Sequence, residues 1–307
     1  MIMLSLIPVV MGGLLATQTA VNSRLRSFVG SPFLASTVSF GIGALFLLIL
    51  VFFTQGSIRL TVGTFGDSPW WIWTGGLIGS IVLTVNILLF PKLGGVQTAV
   101  LPIFGQVIMG LLIDQFGLLN SPMTPLTILR LLGFGLVLVG VLLTVVHKNP
   151  SHENKQKSMI LWQFIGVLAG MLSAIQTAVN GYLGTILGSS LQAAAISFSI
   201  GAILLTIYCI ITRTTLSGLG KAIAVSKSYW WIWIGGLLGG LYVFASAWLV
   251  PRIGTGQVVV MALFGQLTFS TIIDQFGFFN ALKSPISRQK LLGLAIMFIG
   301  VVLTRMA

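Results

Sequence analysis

The chain has 307 residues, of which 56% are hydrophobic and only 7% are charged, and its mean hydropathy is +1.06. About a quarter of the residues of a soluble globular protein are charged, so this composition excludes a soluble fold. Sixteen Lys and Arg residues against four Asp and Glu residues give a net charge of +12. The basic residues are scattered singly between apolar runs, which excludes the basic patch of a nucleic-acid-binding surface. We expect no nucleic-acid partner.

Ten apolar runs lie between the charged positions, each near the length of about 20 residues that spans a bilayer. The runs are 1–23, 33–54, 70–91, 96–116, 130–147, 160–182, 191–212, 230–250, 256–276 and 288–305. The first run lacks the basic start and the cleavage site of a secretory signal, so we expect a retained helix. The pattern predicts an all-α polytopic protein with ten transmembrane helices, embedded in the lipid bilayer.

The second half of the chain repeats the first half. Residues 70–120 and 230–280 are identical at 22 of 51 positions. Three polar blocks also occur twice: Gln-Thr-Ala-Val-Asn at 18–22 and 176–180, Phe-Gly-Gln at 104–106 and 264–266, and Asp-Gln-Phe-Gly at 114–117 and 274–277. Such self-similarity indicates two copies of one structural unit. We divide the chain into a first five-helix repeat (1–147), a polar linker (148–158) and a second five-helix repeat (159–307).

Because each repeat has an odd number of helices, the two copies enter the membrane in opposite orientations. Cytoplasmic loops carry the excess of Lys and Arg, and a cytoplasmic linker places all but four of the basic residues inside. The four on the outer side are Arg59, Arg130, Arg252 and Arg305. We therefore expect both termini outside and two inverted repeats. Inverted repeats are typical of secondary transporters, whose substrate site lies near mid-membrane between the repeats.

Five-plus-five helices with these three repeated blocks resemble the YdcZ-type branch of the drug/metabolite transporter superfamily, in a fused two-repeat form that covers the full chain. The resemblance implies a protein of the bacterial inner membrane that exports small organic solutes. It also implies a fused version of the antiparallel dimer that the small multidrug resistance proteins form.

Carboxamides and hydroxyls within the apolar runs are the candidates for a substrate pathway, because polar groups in a bilayer face the bundle interior or a water-filled cavity. They are Gln18, Asn22, Gln106, Gln176, Asn180, Gln266, Ser39, Ser197 and Asn86. Gln18 and Asn22 lie four residues apart on one helical face. Carboxamides both donate and accept hydrogen bonds, which suits a neutral or zwitterionic solute. For Gln18, Asn22, Gln176 and Asn180, interhelical packing is an equally good explanation, and both interpretations stay open. A pocket role is favoured for Gln106 and Gln266, and a purely structural role for Ser39, Ser197 and Asn86.

Asp114 and Asp274 are the only acids within the apolar runs. Each precedes by three residues a glycine that is predicted to end its helix. One interpretation is proton or cation coupling, or gating between the two halves. The alternative is a capping acid that is bonded to nearby backbone amides or to an arginine.

Glycines lie seven residues apart on one face of the fifth and tenth predicted spans: Gly133 and Gly140, and Gly293 and Gly300. Small residues let membrane helices approach closely. These two helices are therefore expected to pack together or to form the contact of a homodimer.

An enzyme is not expected, because the Gly-x-Gly-Asp context of intramembrane aspartyl proteases is absent and the two acids are predicted at opposite faces. The single cysteine, Cys209, and the two histidines, His147 and His152, offer no metal cluster, so we expect no metal or cofactor. A lipid-carrier flippase and a non-transporting scaffold or regulatory subunit stay open as alternatives. Secondary transport of a small-molecule substrate is the function we expect.

Overall fold

The computed structural model describes residues 2–58, 64, 66–145, 156–281, 283 and 285–306, and all the regular secondary structure among them is helical. The α-helices are α1 (Ile2–Val29), α2 (Pro32–Gln55), α3 (Gly75–Phe116), α4 (Ile128–Val145), α5 (Gln156–Ile186), α6 (Ser190–Ile211), α7 (Ser217–Ala224), α8 (Gly235–Ile253), α9 (Thr255–Phe276) and α10 (Arg288–Met306). Short 3-10 helices occupy Trp70–Thr74, Leu118–Asn120, Trp230–Trp233 and Phe278–Asn280. Most of the predicted linker and both histidines lie outside the described residues.

Six helices among the described residues are long and apolar enough to cross a membrane. They comprise Leu6–Val29, Pro32–Gln55, Ile160–Ile186, Ser190–Ile211, Trp230–Ile253 and Thr255–Phe276. Large apolar side chains cover their outer surfaces; Phe53 is 79% exposed and Ile211 is 75% exposed. Exposed apolar surface on this scale is stable against lipid rather than water. The molecule is an all-helical membrane protein.

The turn before the second helix is built in the same way in both halves. The hydroxyl of Ser31 accepts the N–H of Leu34 at 3.3 Å, and the hydroxyl of Ser189 accepts the N–H of Gln192 at 3.2 Å. Serine at this position satisfies an amide that the first helical turn leaves unpaired. The two repeats therefore share local structure as well as sequence.

The third and fourth predicted spans lie in one helix, α3, which has 42 residues. Gly79 of α3 contacts Gln176 of α5, and Pro102 of α3 contacts Gly170. These two α5 residues are about 9 Å apart along the helix axis, whereas a straight helix from 79 to 102 would extend about 35 Å. The two spans are therefore separated by a bend in α3. In the second repeat the chain instead breaks at Gly254, where φ is 85° and ψ is 158°.

The helices of each repeat pack against those of the other. α1 contacts α8 and α9, and α5 contacts both parts of α3. α2 lies beside α6, where Phe40 stacks on Phe198 with ring centroids 4.8 Å apart. Interlocking of this kind means that neither repeat could move far without a rearrangement of the other.

The glycines of the fifth and tenth predicted spans face each other within the chain. A Cβ at Gly133 would lie 2.8 Å from the carbonyl oxygen of Gly300, and a Cβ at Gly140 would lie 2.5 Å from that of Gly293. α4 and α10 therefore approach to backbone contact, which only residues without a side chain permit. A homodimer through these helices stays a prediction, and it would use their other faces.

Candidate functional site

Two polar clusters occupy equivalent places in the two halves. In the first, which we call the Asn180 cluster, Gln176 and Asn180 of α5 face Gly79 and Gly75 of α3. A Cβ at Gly75 would overlap Oδ1 of Asn180 and would lie 3.3 Å from Oγ of Ser197. Asn180 is buried, and its Oδ1 meets no hydrogen-bond donor among the described residues. The glycines of α3 thus make room for carboxamides of the other repeat.

The second cluster, the Asn22 cluster, repeats this geometry between α1 and α8. A Cβ at Gly235 would overlap Oδ1 of Asn22, and a Cβ at Gly239 would overlap Nε2 of Gln18. Within the described part of the chain, Oδ1 of Asn22 and Oγ of Ser39 are buried without a hydrogen-bond partner. The glycines that receive these side chains come again from the opposite repeat.

Buried oxygens without donors make these clusters chemically unusual. Leaving a polar group unpaired in an apolar interior costs about 1–3 kcal/mol, and most buried polar atoms in proteins are paired. Gln18 and Gln176 are half-buried and form no side-chain hydrogen bond with another described residue. Each cluster can therefore offer both donors and acceptors to water or to a bound solute.

The remaining carboxamide candidates lie on α3 and α9. Asn86 is on α3 between Gly79 and Pro102, and its Oδ1 is another buried oxygen that no described residue pairs. Gln106 and Gln266 are half-buried, and each follows a glycine in backbone contact with a helix of the other repeat. α3 also supplies the glycines of the Asn180 cluster, and α9 packs on α1, the helix that carries Gln18 and Asn22.

A cavity of about 760 Å³ opens at one end of the bundle, which we call the Arg252 end. Its walls are the end of α2, the turn between α5 and α6, and the end of α8. The guanidinium of Arg252 is the only charged group among the described residues that line it. This guanidinium lies 4.0 Å over the ring of Trp248 and donates to that residue's carbonyl oxygen. The cavity also reaches Gly184, one helical turn beyond Asn180 on α5.

Hydrogen bonds between side chains hold one wall of this cavity together. Gln55 at the end of α2 donates to Oγ of Ser189 at 2.9 Å, and Gln192 donates to Oε1 of Gln55 at 2.7 Å. The ends of α2 and α6 are thereby fixed to each other. The wall formed by α8 lacks such a bond to them among the described residues.

The opposite end of the bundle, the Arg24 end, is closed by apolar packing around α1. Leu25 and Val29 of α1 form one buried cluster with Ala222 of α7 and Ile232. The guanidinium of Arg24 lies over the rings of Phe28 and Tyr229, at 4.7 Å and 5.1 Å. The short helix α7 therefore covers the end of α1.

Asp114 lies at the end of α3 and is 2% exposed. Its two oxygens accept the N–H groups of Thr255 at 2.7 Å and of Gly256 at 3.0 Å. Arg130 of α4, also buried, lies 3.8 Å from the carboxylate. These contacts are those of an acid that caps a helix N-terminus, where negative charge is favoured.

Asp274, the equivalent acid at the end of α9, has different surroundings. It is half-buried, and it forms no hydrogen bond with another described residue. A ring contact between Phe279 and Trp231, with centroids 5.3 Å apart, places this loop at the Arg24 end. The two acids therefore lie at opposite ends of the bundle, and among the described residues Asp114 alone caps a helix.

One known family matches the chain twice, once in each repeat. The family described as "Putative inner membrane exporter, YdcZ" matches residues 3–143 and again residues 161–303. The chain belongs to the YdcZ family. A solved structure described only as "Crystal structure of protein" shares the fold with a TM-score of 0.68 at 15% identity, covering 99% of this chain and 96% of that one. No functionally curated protein matches.

The description of the YdcZ family, "Putative inner membrane exporter", implies that the protein is an inner-membrane transporter rather than an enzyme. Several residues of its candidate site were not predicted from the sequence. The glycines at 75, 79, 235 and 239 carried a signal, because they are identical between the repeats. The sequence carried no signal for the hydrogen bond between Asp114 and Thr255, since the two residues are 141 positions apart.

Proposed function

We propose that this YdcZ-family protein is a secondary transporter that moves a small organic solute by alternating access between two inverted repeats. The solute enters or leaves through the cavity at the Arg252 end and passes the Asn180 cluster. An equivalent route at the Arg24 end passes the Asn22 cluster. The observation that carries the proposal is the pair of equivalent clusters, each with a buried carboxamide oxygen that no described residue pairs.

Exchange of conformation between two similar halves is the basis of the proposed cycle. A repeat with the same contacts on its partner can adopt its partner's conformation, and the open end then moves to the other side of the membrane. The reciprocal packing of α1 on α8 and of α5 on α3 supports this mechanism. So does the cavity, which is present at the Arg252 end while α7 covers α1 at the Arg24 end.

Ten membrane spans with both termini outside complete the proposed architecture. The three walls of the cavity come from chain ends that the Lys and Arg distribution assigns to the outer face, and Asp114, Arg130 and Thr255 come from the same face. Contacts between described residues thus join helix ends that the charge distribution predicts on the same side of the membrane. A reporter enzyme fused to the C-terminus should be active in the periplasm; activity in the cytoplasm would contradict the orientation.

The substrate can be found by a thermal-shift screen of the purified protein against amino acids, amines, sugars and cationic drugs. A compound that raises the melting temperature is then tested for flux in proteoliposomes, with imposed pH or sodium gradients to identify a coupling ion. Saturable flux that Asn180→Ala and Asn22→Ala both abolish supports the proposal. A protein that binds a solute but produces no flux under any gradient would be a scaffold or regulatory subunit.

A further inference from the structure

The carboxylate of Asp114 joins the end of α3 to the first residues of α9, at the break between α8 and α9. We call this set of contacts a clamp. A helix leaves its first amides unpaired, and the carboxylate of Asp114 accepts two of them, from Thr255 and Gly256. These amides are free because the chain breaks at Gly254. A Cβ at Gly254 or at Gly256 would lie 2.9 Å from Oδ2 of Asp114, so both glycines also make space for the carboxylate.

The loop after α3 strengthens the clamp. Arg130 lies beside the carboxylate and donates to the carbonyl oxygen of Thr124 at 2.7 Å. The hydroxyls of Ser121 and Thr255 are 2.9 Å apart and buried. The clamp therefore joins α3, its following loop and α4 to the first turn of α9.

The second repeat contains the corresponding acid and loop, displaced by 160 positions. Asp274 corresponds to Asp114 and Lys290 to Arg130, and both Lys290 and Arg130 are buried. The loops also share a hydrogen bond: Leu126 donates its N–H to Gln115 at 2.5 Å, and Ile286 donates its N–H to Gln275 at 2.6 Å. The described residues of the loop after α9 thus share this hydrogen bond with the loop after α3.

This second clamp is open in the described structure. The amides that would match Thr255 and Gly256 are those of Gly95 and Val96, and α3 is helical through them. An amide inside a helix already donates to a carbonyl four residues earlier. Asp274 accordingly makes no hydrogen bond to any described residue, although Gly94 stands where Gly254 breaks the other repeat.

We propose that Asp114 and Asp274 are alternating helix caps, which exchange when the protein changes state. In the opposite state α3 breaks at Gly94, Asp274 accepts the amides of Gly95 and Val96, and α8 and α9 join into one bent helix as Asp114 releases Thr255. The inference rests on the proposed function and assigns its two states. It also connects the clamp to the cavity, because Pro251 and Arg252 of the cavity wall directly precede the break.

Two matched cysteine pairs test the exchange, in full-length protein with Cys209→Ser in liposomes. Ser121→Cys with Thr255→Cys joins the closed clamp, whose hydroxyl oxygens are within disulfide reach. Ala281→Cys with Gly95→Cys occupies the equivalent positions of the other clamp. Under copper–phenanthroline oxidation both pairs should crosslink. The crosslinked fraction of each pair depends on how much of the protein is in the state that closes that clamp. Efficient crosslinking of the first pair with none of the second would overturn the proposal.

Isosteric Asp→Asn variants test whether the two aspartates are the helix caps. Asn offers one acceptor and no charge, so Asp274→Asn should slow crosslinking of the second pair by about tenfold and leave the first pair as fast or faster. Asp114→Asn should have the reverse effect. Equal effects of both variants on both pairs would show general destabilisation and would contradict alternating caps.

Gly94→Ala is a second test that leaves the described contacts of Asp114 intact. Alanine resists the positive φ that Gly254 adopts at its own break, so the second pair should lose crosslinking while the first keeps it. A second pair that crosslinks as fast as in the protein with Gly94 would overturn the proposed break. If reciprocal crosslinking occurs but no solute shows flux, the exchange stands and the proposed transport fails.

Discussion

Phe40 and Phe198 stack on each other at an interplanar angle of 22°, and each is the equivalent of the other in the two repeats. Two equivalent residues can contact each other directly only where an axis relating their repeats passes between them. Gly43 packs on Phe198 and Gly201 packs on Phe40, so the surroundings of the pair are reciprocal as well. The contact therefore lies where the equivalent helices α2 and α6 of the two repeats meet.

Removing the carboxamide of Asn180 should affect transport far more than stability. Its Oδ1 makes no hydrogen bond to the described residues, so Asn180→Ala removes an unpaired buried oxygen rather than a bond. We expect flux to fall by more than about tenfold with a melting temperature that is unchanged or higher. Flux in proteoliposomes and thermal unfolding in detergent measure the two effects. A loss of flux that merely follows a loss of folded protein would indicate a packing role.

Filling the cavity should stop transport without unfolding the protein. Thr185 lines the cavity at the Arg252 end, and Thr185→Trp would occupy much of it. Thr206→Trp on the exposed surface of α6 is the matched control. Flux should be lost in the first variant and kept in the second, with similar melting temperatures. Full flux through Thr185→Trp would show that the cavity is not on the pathway.

The glycines that receive the carboxamides should tolerate no side chain. Gly75→Ala would overlap Oδ1 of Asn180 and should lower the free energy of unfolding by about 1–3 kcal/mol. Gly41→Ala, where an added Cβ would meet nothing within 4 Å, is the control and should be neutral or stabilising. Denaturant unfolding of both variants measures the difference. Equal stabilities would mean that α3 and α5 can separate at no cost.

The seam between α4 and α10 offers a similar comparison on a single helix. Gly140→Ala would collide with the side chain of Met297, whereas Gly135→Ala points into open space. The first should lower the melting temperature by several degrees, and the second should not lower it. If both variants melt like the parent, α4 and α10 are not held by backbone contact.

The sequence predicted the class of fold because the relevant signals are local. Apolar runs of membrane length and repeated polar blocks are visible without any knowledge of packing, and the capping serines at 31 and 189 begin helices where the second and seventh runs begin. The continuity of α3 was not predictable from the pattern, since the same glycine stands at positions 94 and 254, yet only the second position breaks the chain.

The site was predictable only as a set of residue types. Gln18 and Asn22 could be assigned to one helical face from their spacing, but nothing near them in the chain shows that α8 of the other repeat faces them. The same holds for Asp114, whose partners come from α9 and α4. Contacts between repeats depend on how the whole bundle packs, and a local pattern carries no record of it.

Counterflow in proteoliposomes tests the central claim most directly. Liposomes are loaded with an unlabelled solute from the thermal-shift screen, and a trace of the labelled solute is added outside with no ion gradient. Transport by alternation predicts transient accumulation of label above its outside concentration, which Asn180→Ala and Asn22→Ala abolish. Label that never exceeds the level of protein-free liposomes would contradict the account, and label that only equilibrates would indicate a channel instead.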